Sequence, residues 1–412
     1  MEPACDAATP LCAPTRWMGL DIHKAYFVAT GVNASKEPVF GPMRVDNHGL
    51  KDWVTKHLAK TDAVVMEMTT NTYIMHDTIA PYVHSVCVVH PPHVALITRA
   101  QVKTDRKAAL GLAQLHAAGM LSAIWIPPQP IRDLRSLVAQ RWKMVRLGSV
   151  AKCRLSNVLH RHHLDAPDGS QPYLAKLKDW WMALPVQGVE RSNLECDWET
   201  VEFAERQKKR CEERMADVMA HDKRLALLLQ ITGFGLITST TLLAAIGDIA
   251  RFPTAKQLVG YSGLGAGAHI SGQLHATGRI TKVGRRELRT ALVEAAHIAS
   301  KHHPHWKKEF DRLVVRLGKG KAYVAIARKL LVVVWHVLSA KEGDLYADPE
   351  QVALGLYQFF HKNKIRNHLP GLRAMQFVRQ GLDTVGMANR IESMKYGKKR
   401  YKIPPALPMM VS

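Results

Sequence analysis

The sequence has little of three features that would assign it to common classes of protein. Only 7% of its 412 residues are aromatic, and its six cysteines include no CxxC pair. Scattered cysteines argue against a disulfide framework or a zinc ribbon and predict free thiols in a reducing cytoplasm. No uninterrupted apolar run reaches the roughly 18 residues that a membrane span requires, so we expect no membrane partner.

Acidic residues are also scarce beside basic ones. The chain has 57 Lys and Arg against 35 Asp and Glu, which gives a formal net charge of +22. Such a balance predicts a polyanionic partner, and basic residues spread over several segments favour nucleic acid. Residues 1–15 carry acids and prolines without an apolar core, so we expect a disordered lead-in rather than a signal peptide.

Residues 16–128 have the pattern of an α/β sheet domain. Short apolar segments at 17–32, 62–69 and 83–92 predict strands, and helical spacing appears at 48–60 and from residue 71. Strands that come first and then alternate with helices are typical of a sheet covered by helices.

Three carboxylates fall at the ends of these predicted elements. Asp21 lies in the first strand, Glu67 ends a central strand, and Asp105 precedes a helix predicted to start near Arg106. Such acids can converge on Mg²⁺, a hard ion that takes oxygen ligands and activates water or a hydroxyl for phosphoryl chemistry. Glu67 interrupts an apolar run, where an unpaired carboxylate would be costly. Each acid alone could instead be a turn or cap residue, and Asp105 could simply cap its helix.

Residues 131–230 predict a helical coiled-coil arm. The prolines of PPQP at 127–130 mark a domain boundary, and basic helical patterns follow at 131–163 and 199–229. A linker containing proline and tryptophan joins them, which predicts an antiparallel pair. The pair could serve dimerisation or grip RNA, and a plain helical hairpin with solvated charges is the alternative.

Residues 231–340 predict a mainly helical domain that begins with a glycine turn. The segment ITGFG, which holds Gly233 and Gly235, resembles the hairpin of a helix-hairpin-helix. There the glycines let backbone N–H groups and a helix N-terminus approach a phosphate without reading sequence. A simple tight turn is the alternative.

The same domain carries a candidate nucleophile, Ser271, in the second of two Ser-Gly pairs. A reacting serine must lose its proton, and the charge of the phosphate must be offset as it reacts. A polar surface loop in front of a basic helix is the alternative. Four cations follow the serine and could supply that charge: Arg279, Lys282, Arg285 and Arg286.

Residues 341–412 predict a C-terminal extension. A helical piece at 349–363 precedes the basic cluster KYGKKRYK at 395–402. Tyrosines between basic residues suit single-stranded nucleic acid, because bases stack and phosphates pair. A disordered, solubilising tail is the alternative.

In this order the pieces resemble the IS110 family of insertion-sequence transposases, serine recombinases guided by a bridge RNA. The resemblance covers most of residues 17–338. Five motifs carry it: GLDIHK at 19–24, VMEMT at 65–69, KTDRKAA at 103–109, GFGLITSTTLLAAIGDIARF at 233–252, and YSGLGAGAHISGQ with GRITKVGRRELR at 261–289. It implies a RuvC-like domain of ribonuclease-H type, a coiled-coil arm and a C-terminal domain with a nucleophilic serine.

The resemblance also implies roles for residues and partners. Asp21, Glu67 and Asp105 would be metal ligands, and Ser271 would form a covalent phosphoserine with DNA. Homodimers would assemble into a synaptic homotetramer, and the site would be formed between subunits of that tetramer. A structured guide RNA would select donor and target DNA.

The chain departs from the family pattern at one position. That pattern has a fourth acid three residues after the third, where this chain has Ala108. A catalytically impaired copy that binds DNA and RNA therefore stays open as an alternative. A second alternative, which does not depend on Ala108, is a RuvC-like structure-specific nuclease in which Ser271 only binds.

Overall fold

The computed structural model describes residues 13–92, 104–167, 171–271 and 274–405, without the side chains of 268–277. The chain divides into two compact units, Met1–Pro127 and Pro128–Ser412. The division falls in the proline-rich segment that the sequence marks. The finer boundaries within residues 131–412 stay a prediction, and residues 1–12 of the predicted lead-in lie outside the described residues.

A five-stranded mixed sheet forms the centre of the first unit, which confirms an α/β fold there. The strands are Arg16–Ile22 (β1), Tyr26–Val32 (β2), Pro38–Asp46 (β3), Asp62–Glu67 (β4) and Ser85–Val89 (β5), in the order β3-β2-β1-β4-β5. Strands β1, β2 and β3 pair antiparallel, and β4 pairs parallel with β1 and β5. Strand β4 is buried almost throughout, as expected of a parallel strand covered on both faces.

The two faces of this sheet are covered by different helices. Helices α1 (Leu50–His57) and α2 (Thr72–Ile79) share an apolar cluster with Met18 and Leu20 of β1. Helix α3 (Asp105–Ala117) packs on the opposite face, where its Leu112 contacts the cluster of Val65. Successive strand residues alternate between the faces, so the α3 face also carries Gly19 and Asp21.

The second unit begins with two long antiparallel helices, α4 (Gln129–Arg161) and α6 (Gly188–Ala220). Three ion pairs join the two helices: Arg141–Glu212 at 2.8 Å, Lys152–Glu205 at 3.1 Å and Arg154–Asp197 at 2.5 Å. Residue numbers rise along α4 while those of the partners on α6 fall, as expected of antiparallel helices. The second helix begins at Gly188, earlier than the predicted residue 199. Its first residue has a φ of 62°, which is a turn conformation, and this glycine obscured the helix start in the sequence.

The predicted linker between these helices is also folded. It contains a short helix, α5 (Lys178–Met182), whose Trp181 is fully buried. The Trp181 ring lies 5.9 Å from that of Trp198 on α6, measured between centroids. The end of the helical pair therefore has an apolar cluster of its own.

The rest of the second unit surrounds one apolar core. Its elements are α7 (Arg224–Leu229), α8 (Leu236–Ile246), α9 (Ala255–Ser262), β6 (Ala266–Ser271), β7 (Leu274–Ile280), α10 (Arg286–His302), α11 (Pro304–Leu317) and α12 (Lys319–Ala340). The helical spacing of residues 291–317 predicts one continuous helix. They form two, because Pro304 lacks an N–H and holds His303 in extended backbone, at φ −107° and ψ 122°.

Helix α12 is long and apolar enough to cross a membrane, by length and composition alone. Counting uninterrupted apolar residues missed it, because Arg328 and Lys329 interrupt the run. Helices α9, α10 and α11 pack against α12, and its Ile326 and Leu330 are fully buried. Helix α12 is therefore the core helix of the second unit.

The C-terminal extension folds onto the same core. Its elements are α13 (Pro349–Lys362), α14 (Ile365–His368), α15 (Ala374–Thr384), β8 (Ser393–Tyr396) and β9 (Lys399–Lys402). Met394 is fully buried, and Tyr401 lies 5.2 Å from Tyr357 between ring centroids. The hydrogen bond between Tyr357 and Tyr401 raises the pKa of Tyr357 to about 12. The disordered-tail alternative for residues 395–402 is therefore wrong.

The cysteines in the described part of the chain are all free thiols, as the sequence predicted: Cys87, Cys153, Cys196 and Cys211. Burial raises the pKa of the Cys87 thiol to about 11. A thiol with so high a pKa is a packing residue rather than a nucleophile.

Candidate active site

Asp21 and Glu67 lie side by side at one end of the sheet. Strands β1 and β4 run parallel with Leu20 opposite Met66, and the two acids follow these paired residues. The side chains of Leu20 and Met66 point to the face covered by α1 and α2. Successive strand residues alternate between faces, so Asp21 and Glu67 belong to the face that α3 covers. The strand ends therefore bring two of the three predicted ligands to neighbouring positions.

Gly19 allows α3 to come close to this face. A Cβ atom on Gly19 would lie 2.1 Å from the carbonyl oxygen of Ala109 and 2.7 Å from the backbone nitrogen of Ala113. No side chain other than hydrogen fits there, because both atoms belong to the helix backbone. The glycine of GLDIHK thus fixes the distance between β1 and the helix that carries Asp105.

Asp105 is the first residue of α3 and is not its cap. The cap is Thr104, whose hydroxyl accepts a hydrogen bond from the backbone N–H of Lys107 at 3.3 Å. The Asp105 carboxylate instead accepts a hydrogen bond from the hydroxyl of Tyr26 at 2.9 Å. This hydrogen bond raises the pKa of Tyr26 above its ordinary value. The alternative of Asp105 as a cap residue is therefore wrong.

His23 joins these acids, which the sequence analysis did not predict. Its Nε2 atom lies 3.4 Å from an oxygen of Asp21 and 3.4 Å from an oxygen of Asp105. One ligand atom from each of the three residues lies within 4.8 Å of the others. The signal was present in GLDIHK, because residues two apart at a strand end point to the same side.

Glu67 lies outside this tight group among the described residues. Its carbonyl oxygen accepts a hydrogen bond from the Thr72 hydroxyl at 3.1 Å, which fixes the turn between β4 and α2. Its side chain is half-buried and lies one strand away from Asp21. The structure thus brings Asp21 and Asp105 together directly, with Glu67 as their neighbour across the sheet.

The donor atoms fit a divalent cation. Carboxylate oxygens suit Mg²⁺ and Mn²⁺, and imidazole nitrogen is a common ligand of transition ions. The Nε2 atom of His23 is buried and makes no well-formed hydrogen bond within the described residues. A cation between His23 and the two carboxylates would satisfy that nitrogen.

Ala108 lies one helical turn after Asp105. Residues three apart are neighbours on a helix surface, so an acid at this position would stand beside Asp105. Ala108 is half-buried, and its methyl group offers no ligand atom. The fourth carboxylate expected from the resemblance is therefore missing from the same helix face.

The two Ser-Gly pairs have different places in the second unit. Ser262 is fully buried at the end of α9, where its hydroxyl donates to the carbonyl of Val259 at 2.7 Å and accepts from the N–H of Leu264 at 3.2 Å. Ser271 ends strand β6, and its backbone pairs with Leu274 across the hairpin. Ser262 is thus a structural residue.

The structure places the backbone of Ser271 at the end of a strand. Residues 272 and 273 and the Ser271 side chain lie outside the described part of the chain. What the structure supplies is the backbone position, at the turn end of the β6–β7 hairpin.

Two glycines hold the base of this hairpin. A Cβ on Gly263 would lie 2.4 Å from the carbonyl oxygen of Val283, and a Cβ on Gly284 would lie 2.3 Å from that of Tyr261. Arg289 donates a hydrogen bond to the carbonyl of Gly284 at 3.1 Å. The segment that follows β7 is therefore packed against the helix end that precedes β6.

The four predicted cations occupy different elements. Arg279 is exposed on β7, Lys282 is exposed in the connection with a φ of 57°, and Arg286 is exposed as the first residue of α10. Arg285 is half-buried beside Tyr261. Although burial of Tyr261 acts in the opposite direction, the hydrogen bond from Arg285 lowers the pKa of Tyr261. Arg285 is thus partly engaged within the protein.

Gly233 and Gly235 form the turn between α7 and α8. Gly233 has a φ of 94°, and a Cβ there would lie 2.5 Å from the carbonyl oxygen of Ala295 on α10. Helix packing therefore already requires this glycine. A Cβ on Gly235 would meet no atom within 4 Å, and this residue immediately precedes α8. The predicted approach of a phosphate rests on Gly235 and the N-terminus of α8.

Two family models match the chain. A model described as the transposase IS116/IS110/IS902 family matches residues 225–311, and a DEDD transposase model for IS110 matches residues 18–164. The DEDD match spans Asp21, Glu67 and Asp105. The other match spans Gly233, Ser271 and the cations that follow it.

Curated relatives are similar over most of the chain or over part of it. A protein of Sinorhizobium fredii named as a transposase is 26% identical over 318 residues, 74% of each chain. The transposase for insertion sequence element IS1111A of Coxiella burnetii is 24% identical over 334 residues, 79% of this chain and 90% of its own. The pilin gene-inverting protein of Moraxella bovis is 40% identical over 119 residues, 28% of this chain and 37% of its own.

Proposed function

Because the chain belongs to the IS110 family of transposases, we propose that it cuts and rejoins DNA strands through Ser271. The observation that carries the proposal is the convergence of Asp21 and Asp105, next to Glu67, at the end of a sheet where Gly19 sets the helix distance. Such a cluster can hold the metal ion that assists phosphoryl chemistry, whereas a protein that only binds DNA does not need one.

The proposed reaction begins with the hydroxyl of Ser271. Its oxygen attacks a DNA phosphorus, the Oγ–P bond forms, and the bond from phosphorus to one sugar oxygen breaks. The serine proton leaves and the released sugar oxygen gains a proton. Attack of a sugar hydroxyl from another strand reverses these changes, so strands are rejoined without loss of bond energy.

Asp21, Glu67 and Asp105 would hold the divalent metal ion of this site, and their oxygen ligands taken alone favour Mg²⁺. When bound, the ion supplies positive charge at the phosphate and lowers the pKa of a coordinated hydroxyl. The exposed cations Arg279, Lys282 and Arg286, with the half-buried Arg285, would offset further charge on the DNA backbone. Gly235, which shares the turn between α7 and α8 with Gly233, would offer a backbone N–H contact to a phosphate.

The proposal extends to partners. The net charge of +22 supports binding of donor and target DNA together with a structured guide RNA. The antiparallel pair α4–α6 offers an elongated surface for a homodimer, and two dimers would form the synaptic tetramer. DNA as substrate places this activity at the bacterial nucleoid in the cytoplasm.

Covalent trapping tests the nucleophile. The protein is mixed with guide RNA and DNA substrates, quenched with denaturant and analysed for a protein–DNA adduct. The adduct should form with the unaltered protein and disappear in Ser271→Ala. Ser262→Ala is the matched control, because its serine also precedes a glycine but is buried, and its adduct should persist. An adduct that survives Ser271→Ala would overturn the role of this serine.

A catalytically impaired copy is the second candidate, and Ala108 is the observation that favours it. Ala108→Asp restores an acid one turn from Asp105, so recombination by the two proteins can be compared directly. An inert unaltered protein and an active Ala108→Asp variant would support the impaired copy. Equal recombination would show that the present ligands suffice.

A further inference from the structure

We propose that His23 is a ligand of the metal ion at Asp21 and Asp105, and that its nitrogen replaces the carboxylate missing at Ala108. This inference rests on the metal part of the proposed function. It predicts a site with mixed nitrogen and oxygen donors, and therefore a preference for Mn²⁺ or Co²⁺ over Mg²⁺.

The position of His23 is fixed by its backbone and its ring. Its N–H donates to the carbonyl of Tyr26 at 2.8 Å, and its carbonyl accepts from the side-chain amides of Asn47 and Asn71, each at 3.2 Å. Its ring stacks on Tyr26 with centroids 4.7 Å apart. Tyr26 also donates to Asp105, so one side chain orients two members of the cluster.

The distances favour a shared ion over a direct hydrogen bond. Other histidines of this chain contact carboxylates at hydrogen-bond distance: His162 lies 2.8 Å from Glu190, and His76 lies 2.9 Å from Asp77. His23 lies 3.4 Å from both of its carboxylates. Ligand atoms that share one small divalent ion lie roughly 3.0–3.4 Å apart, given bond lengths near 2.1 Å.

The chemistry of the ligands sets the ion preference. Mg²⁺ favours oxygen ligands and retains water, whereas imidazole strengthens binding of first-row transition ions. With Ala108 in place of an acid, the cluster also carries less negative charge, which weakens binding of any divalent cation. Ions with affinity for imidazole recover part of that loss, and Mg²⁺ does not. His23 thus offers this chain a way to retain a metal ion with fewer carboxylates.

Metal binding by the isolated full-length protein tests this inference without measuring activity. The protein is stripped of metal and titrated with Mn²⁺, and electron paramagnetic resonance follows the bound ion. Pulsed measurements should detect coupling of Mn²⁺ to an imidazole nitrogen. His23→Ala should abolish the coupling and weaken Mn²⁺ binding by at least about tenfold, since even residues behind the ligands contribute that much.

Two further variants control the result. His76→Ala removes a histidine that also contacts a carboxylate in the first unit, and it should leave coupling and affinity unchanged. His23→Asp supplies an oxygen ligand instead, and competition experiments should show a preference that moves toward Mg²⁺. Circular dichroism verifies that each variant is folded.

Each outcome separates this inference from the proposed function. Binding that depends on Asp21 and Asp105 but shows no nitrogen coupling, or coupling that persists in His23→Ala, overturns the role of His23 and keeps the metal site. Absence of any Mn²⁺ or Mg²⁺ binding overturns both the His23 inference and the metal part of the proposed function. The Ser271 adduct experiment is independent of either result.

Discussion

The acid half of the proposed site is built into a buried sheet, whereas the serine half lies on a hairpin that pairs only with itself in the described structure. Asp21 lies in β1, where Met18 and Leu20 are fully buried, and Gly19 allows the helix of Asp105 to approach that strand closely. Ser271 lies at the far end of a two-stranded hairpin held at its base. A lone two-stranded hairpin is marginally stable, so the position of Ser271 depends on what it contacts.

The acid cluster is organised by contacts within the first unit, whereas the hairpin of Ser271 has no further strand partner in the described structure. The contrast predicts that variants of the first half weaken metal binding and, through it, recombination. Variants of the second half should change adduct formation and leave metal binding intact.

The largest expected effect comes from removing a charged ligand. Asp105→Asn keeps the shape of the side chain but lowers its charge, and we expect recombination to fall by at least about a thousandfold. The reason is that metal stabilisation of charge is worth several kcal/mol and each ~1.4 kcal/mol is tenfold in rate. Asp52→Asn, on an exposed position of α1, is the control and should recombine at nearly the normal rate. Equal rates in both variants would remove Asp105 from the site.

The next effect concerns the fit of α3 on the sheet. Gly19→Ala places a methyl group against the helix backbone, and we expect a loss of about 3 kcal/mol in unfolding free energy, with weaker metal binding. Gly111 lies on α3 with open space where a Cβ would stand. Gly111→Ala should therefore raise the unfolding free energy by about 0.5–1 kcal/mol. Denaturant unfolding measures both. Equal stability of the two variants would contradict the close packing of β1 and α3.

A smaller effect is expected at the base of the serine hairpin. Gly263→Ala forces a side chain onto a residue with a φ of 72°, at a cost of about 2 kcal/mol, and should reduce adduct yield. Metal binding should stay normal, because the change lies in the other unit. Gly260→Ala, with open space in the same helix, is the control. Normal adduct yield in Gly263→Ala would show that the hairpin base does not position Ser271.

The smallest effect is expected from Tyr26→Phe. It removes the hydrogen bond to Asp105 while keeping the ring that stacks on His23, so metal affinity should fall by about tenfold or less. Tyr82→Phe, a partly exposed tyrosine of the same unit, should have no effect on metal binding. A Tyr26→Phe affinity equal to that of the unaltered protein would remove this tyrosine from the support of the cluster.

Much of the fold could be predicted from local patterns. The strand around Asp21, the strand ending at Glu67 and the boundary near Pro127 follow from short-range apolar spacing and prolines. The start of α6 was misplaced because its first residue, Gly188, is a glycine in a turn conformation. The split at Pro304 was missed because the apolar spacing continues across it.

The site itself was less predictable. The spacing of Asp21 and His23 places both on one side of a strand end, but such a pair is common in strands and did not single His23 out. Only the approach of α3 gives it two carboxylates. Gly233 was interpreted as a phosphate contact, yet it meets the backbone of Ala295, a residue distant in sequence. Such contacts have no local signature.

The sequence by itself determined the family motifs, the basic charge, the candidate serine and the absence of an acid at position 108, because these are properties of residue identity and order. The tertiary structure decided which residues meet. Gly19 lacks a Cβ, α3 therefore packs against β1, and Asp105 reaches Asp21 and His23. It also separated the two serines, since burial and two hydrogen bonds make Ser262 structural, while Ser271 ends a strand at the turn of a hairpin.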